Sequence, residues 1–264
     1  MMYPEIDPVA IHIGSWGIRW YGLAYMAGFL WVYTMVRWSL KQRPLRQMTL
    51  AQVEAMSTSI MLFVLVGGRL GYMCFYQWQM FCKQPWLVFQ VWRGGMSFHG
   101  AIIGGALGIF YYVIRYRIPF LKLSDLILPW VPLALGLGRL ANFVNGELWG
   151  RPTHSQWGMI FPWVDSQLRH PSQLYEFTLE GLILSWIMWW GYRRSMAQGR
   201  LTGLFSLSYG CMRFIVEFFR QPDAQLGLLW GGHLSMGQCL SLPMIILGVW
   251  WLWPSRSRLN ATTV

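Results

Sequence analysis

The chain has 264 residues, of which 55% are hydrophobic, 17% aromatic and only 12% charged, with a formal charge of +11. A soluble domain carries about a quarter charged residues, so a soluble globule is short of polar surface, and 18 Trp, 15 Phe and 12 Tyr exclude a disordered chain. The cations fall in short runs between long apolar stretches rather than on one solvated face, which argues against nucleic acid as a partner. The composition fits an all-α, polytopic integral membrane protein.

The opening MMYPEIDP is acidic and lacks the positive n-region of a signal peptide, so the first apolar stretch is expected to remain as a span. A spanning helix needs about 20 mostly apolar residues. Seven stretches qualify, at roughly 18–39, 57–77, 96–114, 125–146, 174–192, 201–218 and 236–253. The third is bracketed by Arg93-Gly94-Gly95 and Arg115-Tyr116-Arg117, and the seventh ends in the interfacial run Trp250-Trp251-Leu252-Trp253. Residues 147–173 form a short head between the fourth and fifth spans. No repeat or long linker interrupts the chain, which reads as one membrane domain over 1–264. Cys74, Cys82, Cys211 and Cys239 make no CxxC and no metal-ligand spacing, so neither disulfide, metal nor cofactor is expected.

Orientation follows from the loops. Lys41, Arg43 and Arg46 follow the first span, and Arg115, Arg117 and Lys122 the third. Arg193, Arg194 and Arg200 follow the fifth, and Arg256 and Arg258 lie in the tail. The opposite side has Arg19, Lys83, Arg93, Arg151, Arg169 and Arg220, offset by several acids. The richer side is cytoplasmic by the positive-inside rule. The N-terminus is then outside, the C-terminus inside the cytoplasm and the outer loops small.

Four cations remain within spans. Arg37 is near enough to an end to snorkel, whereas Arg69, Arg139 and Arg213 lie deeper, where a charge costs a few kcal/mol and points to function or to a structural partner. Glu176, Glu180 and Glu217 are available as partners. On a helix, Arg139, Asn142 and Gly146 share one face, and Tyr209, Arg213, Glu217 and Arg220 form a polar stripe. His99 begins the third span and reads either as structural or as a catalytic group. Gly100, Gly104 and Gly108 after it have the spacing that lets a neighbouring helix approach. Trp20-Tyr21-Gly22 opens the first span at the interface.

With that topology Tyr21 lies at the outer surface, and His99, Arg139 and Arg213 lie about 5, 10 and 8 Å below it at 1.5 Å per residue. Polar residues from four spans thus converge in the outer half of the bilayer. Two arginines just below the headgroups suit a phosphate, and an amphiphile with its phosphate there is a phospholipid. HExxH, GxSxG and Asp-rich phosphotransfer motifs are absent from the sequence. A base with phosphate-binding cations fits a displacement in which a phosphate ester leaves. The competing reading is a seven-span anion or lipid transporter with an arginine-lined site. The inner halves, such as 102–112 and 183–190, are apolar or glycine-rich, which suits a closed outer pocket better than a pathway.

The run GRLANFVNGELWGRPT (138–153) resembles the signature of the prolipoprotein diacylglyceryl transferase family. WYGLAY (20–25), GGMSFHG (94–100), HPSQLYE (170–176) and YGCMRFIVEFFRQPDAQ (209–225) agree with it, in order along nearly the whole chain. The resemblance implies a seven-span bacterial inner-membrane enzyme. Such an enzyme moves the diacylglyceryl group from phosphatidylglycerol to the lipobox cysteine thiol of a prolipoprotein, forming a thioether and releasing glycerol phosphate. Its partners would be that lipid, the precursor's signal peptide and the surrounding membrane. Carried over, the family's functional residues fall on Tyr21, His99, Arg139, Asn142, Glu147, Gly150, Tyr209, Arg213 and Glu217. Arg139 and Arg213 would clamp the phosphate, His99 would accept the thiol proton or donate a hydrogen bond, and Asn142 and Tyr21 would orient the headgroup. Family members can carry a substantial outer head, but here Thr153 to Arg169 is only 17 residues.

Overall fold

The computed structural model describes residues 1–14, 16–44, 48–90, 96–222 and 234–253. Arg46, Arg93, Gly94, Gly95, Arg256 and Arg258, which entered the loop and cap readings, lie outside the described residues, as do the side chains of His99 and Ile102. The protein is mostly helical, and a helix occupies each of the seven apolar stretches. Two short antiparallel pairs accompany the helices, β1 (Val9–Ile13) with β2 (Trp16–Arg19) and β3 (Met159–Ile160) with β4 (Leu168–Arg169). β3 and β4 have two residues each, too few to show a strand period in the sequence.

Helix α1 runs over Trp20–Gln42, starting where β2 ends. Helix α2 (Leu50–Tyr76) begins in a capping box, with Gln52 N–H donating to Thr49 Oγ1 at 3.3 Å and Thr49 N–H to Gln52 Oε1 at 2.8 Å. A short helix α3 (Trp78–Lys83) and a 3-10 turn (Pro85–Phe89) follow. Helix α4 (Phe98–Tyr116) is capped by Ser97, whose Oγ accepts from Gly100 N–H at 3.2 Å, and stops at Arg117 in the left-handed region.

The fourth stretch is not one uniform helix. It comprises α5 (Phe120–Ile127), a 3-10 turn (Leu128–Trp130) and α6 (Val131–Val144). Pro129 and Pro132 have no N–H to give the ladder, which accounts for the tight turn between them. The fifth stretch is likewise composite: α7 (Ser172–Glu176), a π-helical segment (Phe177–Ile183) and α8 (Leu184–Arg193). Helix α9 covers Arg200–Val216, and α10 covers Met236–Leu252 with Pro243 inside it.

Among the described residues two helical runs, Leu50–Cys74 and Phe120–Val144, are long and apolar enough to cross a bilayer, and Met236–Leu252 is a shorter apolar helix. Ile103, Leu107, Phe110 and Ile114 are all exposed along one face of α4, at helical spacing. A continuous apolar face of that kind is a liability in water and suits contact with lipid tails.

The chain divides into two compact units, Met35–Leu123 and the combination of Met1–Thr34 with Ser124–Val264. In the first, α2 and α4 meet through glycines. A Cβ on Gly71 would fall 2.7 Å from the Cα of Gly100, and one on Gly104 would fall 3.2 Å from the Cα of Gly67. The expected close approach at Gly100 and Gly104 is therefore made by α2. Gly104→Ala should lower the thermal midpoint in detergent through overpacking of about 1–3 kcal/mol. An unchanged melting curve would mean that the two helices can part without cost. Arg37 in this unit pairs with Glu54 at 3.2 Å.

Arg69 belongs to the same unit and is 5% exposed. Its guanidinium donates to the backbone carbonyls of Leu87 (2.7 Å), Gln90 (3.0 Å) and Val88 (3.1 Å). It ties the end of the 3-10 turn to α2, satisfying carbonyls that a helix end leaves open.

In the other unit, α6 and the π-helical segment approach at Gly136 and Gly181, where a Cβ on the first would lie 2.8 Å from the Cα of the second. The N-terminal segment is strapped across the end of α6: the Tyr3 hydroxyl donates to Phe143 O at 2.6 Å and lies 2.9 Å from Val144 O. Burial raises the Tyr3 pKa, keeping the phenol protonated as a donor.

Candidate functional site

Helix α6 delivers Arg139 and Asn142 and ends at Val144. Gly146 therefore does not continue their face, contrary to the helical-wheel expectation. It sits beyond the helix at φ 62°, a conformation glycine adopts readily, and Leu148 follows at φ 58°. Such left-handed turns re-aim the chain, and this one is held by three side chains. Trp163 Nε1 donates to Gly146 O at 3.1 Å, Gln173 Nε2 to Glu147 O at 2.6 Å and Ser172 Oγ to Leu148 O at 2.9 Å. Ser172 and Gln173 are essentially fully buried. Two non-repetitive residues at φ > 0, pinned by buried polar groups, mark a backbone whose shape is over-determined.

That turn folds the Glu147 side chain back toward the helix. Its Oε1 accepts from Asn142 Nδ2 at 2.9 Å and from Asn145 Nδ2 at 3.4 Å. Tyr21, at the start of α1, hydrogen-bonds Tyr25 at 3.1 Å and lies within hydrogen-bonding reach of Asn142. Tyr21, Asn142 and Glu147 thus form one polar group. Gly150 has a different environment, since a Cβ there would come within 2.5 Å of both His170 O and Phe219 O. Its N–H donates to His170 O at 2.8 Å, while Arg151 N–H donates to Phe219 O at 2.9 Å. Gly150 lets two backbones close on the signature segment.

Between α6 and α7, Arg169 pairs with Asp165 at 2.6 Å and donates to Gly150 O at 3.1 Å. The hydrogen bond from Arg169 holds the Asp165 pKa below its ordinary value. Burial lowers that of His170, whose ring meets Phe219 edge-on and whose Nδ1 lies 3.2 Å from the Tyr175 hydroxyl. Neutral His170 therefore packs as a ring and a hydrogen-bonding group.

Behind this segment lies a cluster of ions. Arg139 Nε pairs with Glu176 Oε2 at 2.7 Å, and its Nη2 lies 3.7 Å from Glu180 Oε2. Arg213, from α9, presents Nη1 to Glu176 Oε2 at 3.3 Å and to Glu180 Oε1 at 3.4 Å, and Nη2 to Glu217 Oε1. Arg220 reaches Glu217 Oε1 at 3.2 Å and Glu176 Oε1 at 3.9 Å. Glu176 and Glu180 therefore bridge Arg139 and Arg213, while Glu217 bridges Arg213 and Arg220. Tyr209, stacked on Phe205 one turn before Arg213, lies close enough to interact electrostatically with Arg139, Arg213 and Glu180.

The local fold explains how two glutamates can face the same arginines. Glu176 ends α7, and Glu180 lies in the π-helical segment, where the wider turn shifts side chains relative to an α-helix. Three guanidinium groups meet three carboxylates, so the cluster is formally neutral. The Glu180 carboxylate is fully buried, yet the Arg139 side chain remains 21% exposed, more than Arg213 or Arg220. The carboxylates fix the direction of the guanidinium groups, and Arg139 keeps surface for a further anion.

The structure thus gathers Arg139, Arg213, Tyr209 and Glu217 in one cluster and Tyr21, Asn142 and Glu147 beside the end of the same helix. Glu176 and Glu180 had entered only as structural partners; two acids four apart inside an apolar stretch were the signal for a larger part. Ser172 and Gln173 carried a weaker signal, as polar residues at the mouth of that stretch. His99 lies in the first turn of α4 in the other unit. Among the described residues no cluster of His, Cys, Asp and Glu could hold a metal ion.

The model of the family described as prolipoprotein diacylglyceryl transferase matches residues 8–254. A phosphatidylglycerol–prolipoprotein diacylglyceryl transferase of Legionella pneumophila (strain Corby) is 45% identical over 256 residues, 97% of this chain and 100% of the relative. The protein of the same name from Methylobacillus flagellatus is 46% identical over 261 residues, 98% of this chain and all of its own length. That from Coxiella burnetii (strain RSA 331 / Henzerling II) is 45% identical over the same span and coverage. Likenesses at this level run over nearly the whole chain, and this chain belongs to the prolipoprotein diacylglyceryl transferase family.

Proposed function

We propose that this protein transfers the diacylglyceryl group of phosphatidylglycerol to the lipobox cysteine of a prolipoprotein, the first step of bacterial lipoprotein maturation. The carrying observation is the pair Arg139 and Arg213, aimed by shared carboxylates, in a chain of this family. The chain would cross the bacterial inner membrane seven times as one domain, with a periplasmic N-terminus, a cytoplasmic C-terminus and residues 147–173 as the outer head. The site would lie in the periplasmic half, where the lipid phosphate sits.

Arg139 and Arg213 hold the phosphate of the donor and stabilise the charge that grows on it as it leaves. His99 takes the proton of the cysteine thiol, directly or through water. The sulfur attacks the glycerol carbon that bears the phosphate ester, the C–S bond forms, the C–O bond breaks, and glycerol phosphate departs. Tyr21 and Asn142 orient the headgroup, and Glu147 fixes the Asn142 amide. Tyr209 and Glu217 line and set the arginine cluster, while Gly150 lets the backbones at His170 and Phe219 close on the signature segment. The signal peptide of the precursor, itself an apolar helix, enters between spans. No cofactor is needed, since the substrates supply both the bond broken and the nucleophile.

The test is mass spectrometry of a lipobox peptide incubated with the purified protein and phosphatidylglycerol. The peptide should gain one diacylglyceryl mass through a hydrolysis-resistant thioether, with glycerol phosphate appearing in equal amount. Proteoliposomes that move anions or lipids while the peptide stays unmodified would replace this reading with transport.

A further inference from the structure

The start of the last helix is built around an acid that belongs to the cluster. Ser235 is the N-cap of α10, its Oγ accepting from Gln238 N–H at 3.2 Å, and Gln238 Oε1 accepts from Ser235 N–H at 3.0 Å. That hydroxyl has one proton to give, and it goes to Glu217 Oε2 at 2.7 Å. Ser235 is 3% exposed and Glu217 is 1% exposed. The next turn leaves room for the carboxylate, because a Cβ on Gly237 would fall 2.5 Å from Glu217 Cδ. Glu217 is therefore held from behind by a hydroxyl and by the positive end of a helix. Its other oxygen, Oε1, faces Arg213 Nη2 and Arg220 Nη1.

The division of labour between the two oxygens matters. A carboxylate with both oxygens free to rotate would grip Arg213 in several directions, whereas one pinned at Oε2 presents Oε1 in one direction. The Arg213 guanidinium is then fixed at Nη2 by Glu217 and at Nη1 by Glu176 and Glu180. We propose that Ser235 is a positioning residue for the lipid phosphate site, acting on Arg213 through Glu217. This rests on the assignment of Arg213 to the phosphate of the donor lipid. Ser235 itself touches no substrate in this scheme.

Two roles of Ser235 must be separated, since it also caps α10. Glycine keeps most of the capping preference of serine but has no hydroxyl, and threonine keeps both. Ser235→Gly and Ser235→Thr are therefore compared in the full-length protein with phosphatidylglycerol and a lipobox peptide, varying each substrate in turn. Ser235→Gly should raise the KM for phosphatidylglycerol about tenfold, the usual consequence of losing one hydrogen bond to a charged group. The KM for the peptide should stay within about twofold. Ser235→Thr should restore the lipid KM. A fraction of unfolded protein lowers kcat and leaves KM where it was, so a change in KM cannot come from a lost cap alone.

A lipid KM unchanged in Ser235→Gly, or both KM values raised together, would overturn the proposal. Arg213→Ala is measured alongside. Parental transfer by that variant would sink the phosphate assignment on which this inference stands. An inactive Arg213→Ala beside a Ser235→Gly protein of parental kinetics would sink the Ser235 role by itself.

Discussion

Arg139→Ala should abolish diacylglyceryl transfer, with a loss of about a thousandfold from removing a preorganised charge at the departing phosphate. The ion cluster makes the single variant ambiguous, however. Glu176 and Glu180 are buried, and both pair with Arg139. Taking away one partner of a buried pair costs about 3–5 kcal/mol, because the remaining charge has lost its compensation. The protein could then lose activity by unfolding. Adding Glu176→Gln returns the cluster to neutrality, with two guanidinium groups facing two carboxylates. The double variant should accumulate in membranes and melt within a few degrees of the parent, yet modify no lipobox peptide. Transfer by a folded double variant would contradict the phosphate clamp and leave Arg139 with a structural role alone.

The same cluster shows what the sequence could and could not reveal. Apolar length and the cation runs outlined seven helices, and helices stand at all seven places. That signal is strong because it sums over about 20 residues at a time. The interruptions were harder to see. Pro129 and Pro132 announce a break, but whether it becomes a kink or a 3-10 turn depends on packing. The π-helical segment around Glu180 has no composition of its own. Helical periodicity placed Gly146 with Arg139 and Asn142, and failed where the helix ended two residues earlier. A wheel has no knowledge of where a helix stops.

The candidate site was legible where polar residues interrupt apolar stretches. Arg139, Asn142, Arg213 and Glu217 stand out because each is a polar side chain within an apolar stretch, where such a group is costly unless it has a partner or a task. Their partners were not assignable, since Glu176 and Glu180 could have met either arginine and in fact bridge both. Ser235 was invisible for a different reason. A serine before a helix is an ordinary cap, and only the position of Glu217 in space distinguishes this one. Gly150 and Gly237 behave alike, because the absence of a side chain has meaning only beside the atoms that would occupy its place.

Arg213→Lys should lower kcat/KM by about a hundredfold while leaving the protein folded. The charge is conserved, so Glu176, Glu180 and Glu217 retain a cation among them and the penalty of an unpaired buried acid does not arise. What is lost is the fork. Arg213 uses Nη1 toward Glu176 and Glu180 and Nη2 toward Glu217, all three acids lying around one planar group. An ammonium is a single point with three donors. It can satisfy the acids only by drawing back among them, and then has no rigid edge left for a phosphate. Steady-state rates with phosphatidylglycerol and a lipobox peptide, set beside melting curves, measure both effects in one preparation. A Lys variant within a few-fold of the parent would show that charge at this depth suffices. The carboxylate bracket would then serve stability, since direction at the guanidinium is all that separates a clamp from a buried ion pair.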